Sequence, residues 1–301
     1  MPIPYFDAHC DTITAYPELR SNAGQVDLIR LSHYAPAAQI FAICAVDHFQ
    51  EEFSAYLSKL LSELKRNEDL VVLCRSGAEI RRAALEGKIA AIIAVEGAEH
   101  VGCSVEGLRN AWEHGVRSVN LTWNYDNALA GAAMDSGKGL TERGREFVRA
   151  AQSMGVMIDL SHVSERAFWE VLEIAERPVY ASHSDALALS PHCPRNLSDR
   201  QFSALVRHGG GAGINLYADF IGLSRDMDAV ICHIEHLWGL GGEKALFLGT
   251  DFDGIKVSPA GLTGVEDMEN LYEALLHRNH SESLVRDLFY GNLLNILERA
   301  L

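Results

Sequence analysis

The chain has 301 residues, 48% hydrophobic and 22% charged, which is enough apolar material for a large α/β core. Lys and Arg number 26 against 41 Asp and Glu, a net charge of -15 that argues against nucleic acid or an anionic membrane as the main partner. The six cysteines are scattered with no C-x-x-C pair, which fits neither a zinc knuckle nor a disulfide framework and suits reduced thiols in a cytoplasm.

The opening residues lack a basic segment followed by an apolar one, and nowhere do 18 apolar residues run together. A cytoplasmic protein without a membrane span is therefore expected. The first strand is expected around Phe6-Asp7-Ala8-His9-Cys10-Asp11. On a strand, residues i and i+2 share a face, so His9 and Asp11 can reach one metal ion while Cys10 points into the core. Residues 13–38 read as loop. Residues 39–46 (QIFAICAV) form an apolar run short enough for a strand buried on both faces. A helix is expected over 51–67, a strand over 88–96 (KIAAIIAVE), a helix over 105–114 and a strand over 116–121.

Residues 122–139 have no period and read as a long functional loop. Thr141 caps a helix running to 155, and 156–160 (VMIDL) forms a strand ending at Ser161-His162. Ser164 caps the next helix, and 178–181 forms a strand ending at Ser182-His183. Residues 190–198 are a polar loop carrying Arg195, followed by a helix over 199–207, a strand over 211–216 and a helix over 229–237. The last strand, 245–249, ends in Thr250-Asp251-Phe252-Asp253-Gly254, and helices over 266–276 and 282–300 close the chain. His233 and His236 sit on the helix over 229–237, and exposed helix histidines are the expected reading over a metal-binding H-x-x-H pair. Asp253 either orients Asp251 or stabilises the turn before Gly254.

Eight apolar strands mostly separated by helices indicate a single (β/α)8 TIM-like barrel domain over 1–301, and no G-x-G-x-x-G follows any strand to favour a doubly wound sheet. In such a barrel the C-terminal strand ends converge on one mouth. His9, Asp11, Glu96, His162, His183 and Asp251 all fall at those ends. Five ligands exceed what one tetrahedral zinc needs, so a two-metal site is expected. His9 and Asp11 would hold one ion, His162 and His183 the other, and Glu96 would bridge. Such a pair polarises a water to hydroxide and a carbonyl for attack, and Asp251 is the natural general base or proton shuttle. Zinc suits this donor set, and manganese or iron would tolerate it.

The motifs D-A-H-C-D-T, V-E-G, M-I-D-L-S-H-V-S, A-S-H-S, P-R-N-L-S-D and G-T-D-F-D-G occur in that order, and the chain closes with Gly291-Asn292-Leu293-Leu294. Together they resemble the membrane (renal) dipeptidase family of binuclear zinc metallopeptidases, in a soluble bacterial form. The resemblance implies a homodimer with two zinc ions per chain that hydrolyses small unblocked dipeptides, often with a D-residue at the C-terminal position. It gives Asp251 the acid/base role, matches Arg195 to the residue that binds the substrate carboxylate, and points to Tyr217 as a further contact. Mammalian members carry His after Leu-Thr at the end of the fourth strand. Here Trp123 and Asn124 follow instead, as in bacterial relatives, and both are expected at the substrate. That departure keeps open the alternative of another amide, a lactam or a lactone as substrate.

Overall fold

A computed structural model describes residues 2–46 and 48–301. Among these, nine parallel strands form one sheet: β1 (Tyr5–Cys10), β2 (Ala37–Ile43), β3 (Val71–Leu73), β4 (Ile89–Val95), β5 (Val116–Asn120), β6 (Met157–Asp159), β7 (Tyr180–Ala181), β8 (Gly211–Ile214) and β9 (Leu246–Leu248). Neighbours run β2-β1-β9-β8-β7-β6-β5-β4, and β2 pairs with β4 from Ala38↔Ala90 to Ile43↔Val95, which closes an eight-stranded barrel. The ninth strand, β3, pairs only with the lower half of β4, where Val71–Leu73 sits beside Ile89–Ala91. The upper half of β4 is left to β5.

Why these segments are strands is plain from β4. All seven residues of IAAIIAV are buried. Ala91, Ile93 and Val95 enter one apolar cluster, while Ala90, Ile92 and Ala94 enter another with Leu293, Leu294, Ile296 and Leu297 of the last helix. A strand covered on both faces needs no polar alternation. Truncating Ile92 to Ala would cost about 2–5 kcal/mol through lost burial and the cavity left behind.

Helices at Phe49–Arg66, Val105–Glu113, Glu142–Ser153, Glu165–Ile174, Asp199–Arg207 and Met227–Gly239 follow the expected segments to within three residues. Thr141 and Ser164 cap as expected, accepting from the backbone N–H of Gly144 and Ala167. Among the elements for which the sequence offered no reading are β3 and the helix Gly77–Leu85. The segment 13–38 is not all loop, because Thr12–Ala15 and Leu28–Leu31 are single helical turns. The helix expected over 282–300 is divided by a π-turn at Asp287–Gly291. Among the described residues, no helix is long and apolar enough to cross a membrane.

The glycine at the end of β9 shows how tightly the mouth is built. A Cβ on Gly249 would lie 1.7 Å from the carbonyl oxygen of Ser182, so only glycine lets β9 approach the residue before His183.

Candidate metal centre

Each strand that ends at the mouth delivers one or two polar side chains, held by backbone bonds to its neighbours. The N–H of Asp251 donates to the carbonyl of His9 at 3.1 Å, and that of Asp11 donates to Phe252 at 2.9 Å, which locks β1 to the segment after β9. Glu96 is placed by its N–H on the carbonyl of Ile43 at 3.0 Å. His183 is placed by its N–H on Ser161 Oγ at 3.0 Å.

The side chains converge. Glu96 divides its carboxylate: Oε1 lies 2.8 Å from His162 Nε2 and 3.6 Å from His183 Nε2, while Oε2 lies 3.7 Å from His9 Nε2. His9 Nε2 is also 3.6 Å from Asp11 Oδ2 and 3.9 Å from Asp251 Oδ1. The Nε2 atoms of His162 and His183 are 3.0 Å apart. His162 Nδ1 bonds to Asn124 Oδ1 at 3.1 Å, a contact that assigns the proton to Nδ1 and leaves an Nε2 lone pair aimed at the cluster.

His9, Asp11, Glu96, His162 and His183 are buried, yet both ring nitrogens of His9 and Asp11 Oδ1 have no hydrogen-bond partner among the described residues. Buried polar atoms are rarely left so. Orphaned imidazole and carboxylate donors around a common point fit divalent metal ions, which take such nitrogen and oxygen ligands at roughly 2.0–2.2 Å.

With protein groups alone, burial and then the nearby Glu96 push Asp11 up to about 6. Burial also raises Asp251 to about 7, with His9 tempering the rise and Asp11 and Glu96 adding to it. Burial and the Arg195 cation hold His162 down at about 4, keeping its imidazole neutral.

Asp251 is held in an uncommon backbone conformation, with φ +61°, and Asp253 follows at +67°. Non-glycine residues in this region are costly and cluster at functional sites. The turn closes on Gly254, where a Cβ would lie 2.2 Å from Asp11 Oδ2. Asn215 Nδ2 donates to Asp251 Oδ2 at 3.1 Å and fixes the carboxylate's orientation. Asp253 accepts from Thr12 Oγ1 and from the N–H of Gln25, both at 2.6 Å, so it ties the turn to the segment after β1.

A cavity of about 510 Å³ opens over the cluster and is lined by Asp11, Glu96, His162 and Asp251. Arg195, Asn124, Trp123 and Tyr217 all line it as well. The Arg195 guanidinium is buried, donates to the carbonyl of Ser161 and lies over the Phe220 ring at 5.8 Å. Burial lowers its pKa from the ordinary guanidinium range.

Several residues at the mouth were not singled out from sequence. Asn215 holds Asp251 and lies just past the end of β8, a position where a barrel's functional groups are expected. Asp185 accepts from the N–H of Asn215 at 3.1 Å, and burial pushes its carboxyl up to about 8. Cys44, just past β2, also lines the cavity. His233 corrects an expectation, because it is buried rather than exposed. Its Nδ1 accepts from the N–H of Ala186 at 3.1 Å, and its Nε2 bonds to the carbonyl of Ile221 at 3.0 Å. His236 is half-buried and pairs with Asp199 at 2.8 Å.

Comparison with known proteins places this geometry among relatives. Residues 2–300 match the family model described as membrane dipeptidase, peptidase family M19. An uncharacterized dipeptidase of Schizosaccharomyces pombe is 35% identical over 245 residues, which is 78% of this chain and 59% of that protein. A metallo peptidase of Rhodobacter sphaeroides, crystallised with a phosphinate mimic of the dipeptide L-Ala-D-Ala, superposes with a TM-score of 0.90 at 27% identity, covering 100% of each chain. A dipeptidase AC of family M19 superposes at 0.92 and 28% identity, covering 100% of this chain and 99% of that one.

Proposed function

The chain belongs to the membrane dipeptidase family of metal-dependent peptide-bond hydrolases, and on that premise we propose that it is a two-zinc dipeptidase acting on small unblocked dipeptides, L-D dipeptides included. The observation that carries this reading is the division of the Glu96 carboxylate, one oxygen toward His162 and His183 and the other toward His9. His9 and Asp11 would hold one ion, His162 and His183 the other, and Glu96 would serve both. Ions in this position supply Lewis-acid polarisation of the scissile carbonyl and acidify a water.

The chain's own groups do the rest. Asp251, oriented by Asn215, takes the proton of the attacking water and hands it to the leaving amine. Arg195 pairs with the free carboxylate of the dipeptide at the cavity wall, a charge-assisted contact that selects unblocked C-termini. Trp123, Asn124 and Tyr217 contact the substrate from the same wall. The inclusion of L-D dipeptides is supported by the Rhodobacter sphaeroides relative, whose ligand mimics L-Ala-D-Ala. In this reading the barrel is one domain over 1–301, works in the cytoplasm and pairs as a homodimer.

The test is a panel of L-L and L-D dipeptides with free and blocked C-termini, given to zinc-reconstituted protein. Cleavage confined to free-carboxylate dipeptides, and lost in Arg195→Met, is the expected result. Trp123, where mammalian relatives have His, favours a second reading with another amide, a lactam or a lactone as substrate. Turnover of N-acyl amino acids or lactones without any dipeptide cleavage would establish that one instead.

A further inference from the structure

β2 ends at Ile43, and the next side chain, Cys44, faces the same cavity as the metal-capable cluster. One donor atom from each of Cys44, Asp11 and Glu96 lies within 4.8 Å of the other two. Backbone bonds on both sides hold the thiol there. The carbonyl of Ile43 accepts from the N–H of Glu96 at 3.0 Å. The N–H of Ala45 donates to His100 Nε2 at 2.7 Å, and His100 Nδ1 bonds to the carbonyl of Gly97 at 2.7 Å. Cys44 is thus pinned against the residue that faces both halves of the cluster. Asp11 Oδ1 and His9 Nε2, both buried, have no hydrogen-bond partner among the described residues.

We propose that Cys44 is a sulfur donor to the ion held by His9, Asp11 and Glu96. The inference rests on the two-metal reading of the site. Sulfur ligates such ions as the thiolate, at roughly 2.3 Å, so the thiol proton would be released to solvent on binding. Neighbouring Cys10 does not compete for this role, because it is fully buried in the core and Thr12 Oγ1 donates to its sulfur at 3.5 Å. A thiolate at one position makes the two halves chemically unequal. The half with Cys44 prefers thiophilic ions such as zinc, cobalt or cadmium over manganese, while the His162–His183 half lacks that bias.

The experiment is cobalt loading of the full chain, reading metal content together with the absorption spectrum, for the native protein and for Cys44→Ser and Cys44→Ala. Bound cobalt with a sulfur-to-metal charge-transfer band in the near ultraviolet is expected for the native protein. Both variants should bind cobalt but lack the band, and their preference for cadmium over manganese should fall by about ten-fold or more. Cobalt binding without the band, or a band that survives in both variants, overturns the sulfur ligand and leaves the two-metal reading standing. No cobalt binding at all overturns that reading and the inference with it.

Discussion

Asp7 and His9 stand two residues apart on β1, both buried, and their surroundings treat them in opposite ways. The Asp7 carboxylate accepts from the N–H and the hydroxyl of Thr250 at 2.8 and 2.7 Å, from Gln39 Nε2 at 3.1 Å and from the N–H of His9 at 3.3 Å. It knits β1, β2 and the end of β9 into a closed polar layer. Two residues further on, His9 has both ring nitrogens without a hydrogen-bond partner among the described residues. Burying a polar group without a partner costs free energy, so a fold sustains it only where something else supplies the partner. A carboxylate with both oxygens bonded, as in Asp7, is structure. An orphaned cluster made of metal-ligand types is a binding site.

That contrast can be broken or sharpened by substitution, and the largest effect is expected at Asp251. Asp251→Asn keeps the site's shape but cannot accept a proton, so dipeptide turnover should fall about 10²–10⁴-fold with metal content unchanged. Near-native turnover with full metal occupancy would remove Asp251 from the proton path. Next comes Asp7→Ala, which removes the acceptor of the two Thr250 donors, of Gln39 Nε2 and of the His9 N–H. At about 1–3 kcal/mol per orphaned donor, chemical denaturation should show several kcal/mol lost, while the folded fraction still binds metal. Unchanged stability would mean the Asp7 layer is not structural.

A smaller effect of opposite sign is expected at Asp11. Burial and the Glu96 charge already disfavour its ionised form, so Asp11→Asn should raise the melting temperature of chelator-treated protein by about 2 °C while weakening metal binding. A lower melting temperature without metal would show that Asp11 serves the fold rather than the ion.

The smallest effect belongs to His233, which does not line the cavity over the cluster. Burial lowers its pKa below the ordinary 6.5, with His236 pushing the same way. Below pH 6.5 the unfolded chain therefore binds the extra proton and the folded chain resists it, so stability falls as pH drops through that value. His233→Gln, able to keep one acceptor and one donor, should flatten this loss between pH 6.5 and 5 in urea titrations. An unaltered slope would assign the acid sensitivity elsewhere.

The same contrast explains what could be read from residues alone. The strands were legible because barrel strands are buried on both faces and appear as apolar runs, as in 39–46 and 88–96. The residues gathered at the mouth were legible because barrel topology sends strand ends to one place. Val71–Leu73 was not, since three residues give no period and its pairing with half of β4 is a tertiary fact. Asn215 and Asp185 were hidden because their roles lie in hydrogen bonds between chain-distant segments. His233 was misread because helix periodicity does not reveal that the adjacent loops, carrying Ala186 and Ile221, fold over it. Cys44 was visible as an apolar strand residue, and only the closed barrel brings its sulfur to Glu96.

The central claim is that the orphaned cluster is a two-ion site bridged by Glu96, and metal content per folded chain tests it most directly. Native protein, Glu96→Ala and Asp7→Asn would be reconstituted with zinc, dialysed and analysed in parallel. Two ions are expected in the native protein and in Asp7→Asn, and close to none in Glu96→Ala. Two ions retained in Glu96→Ala, or equal losses in the two variants, would contradict the account.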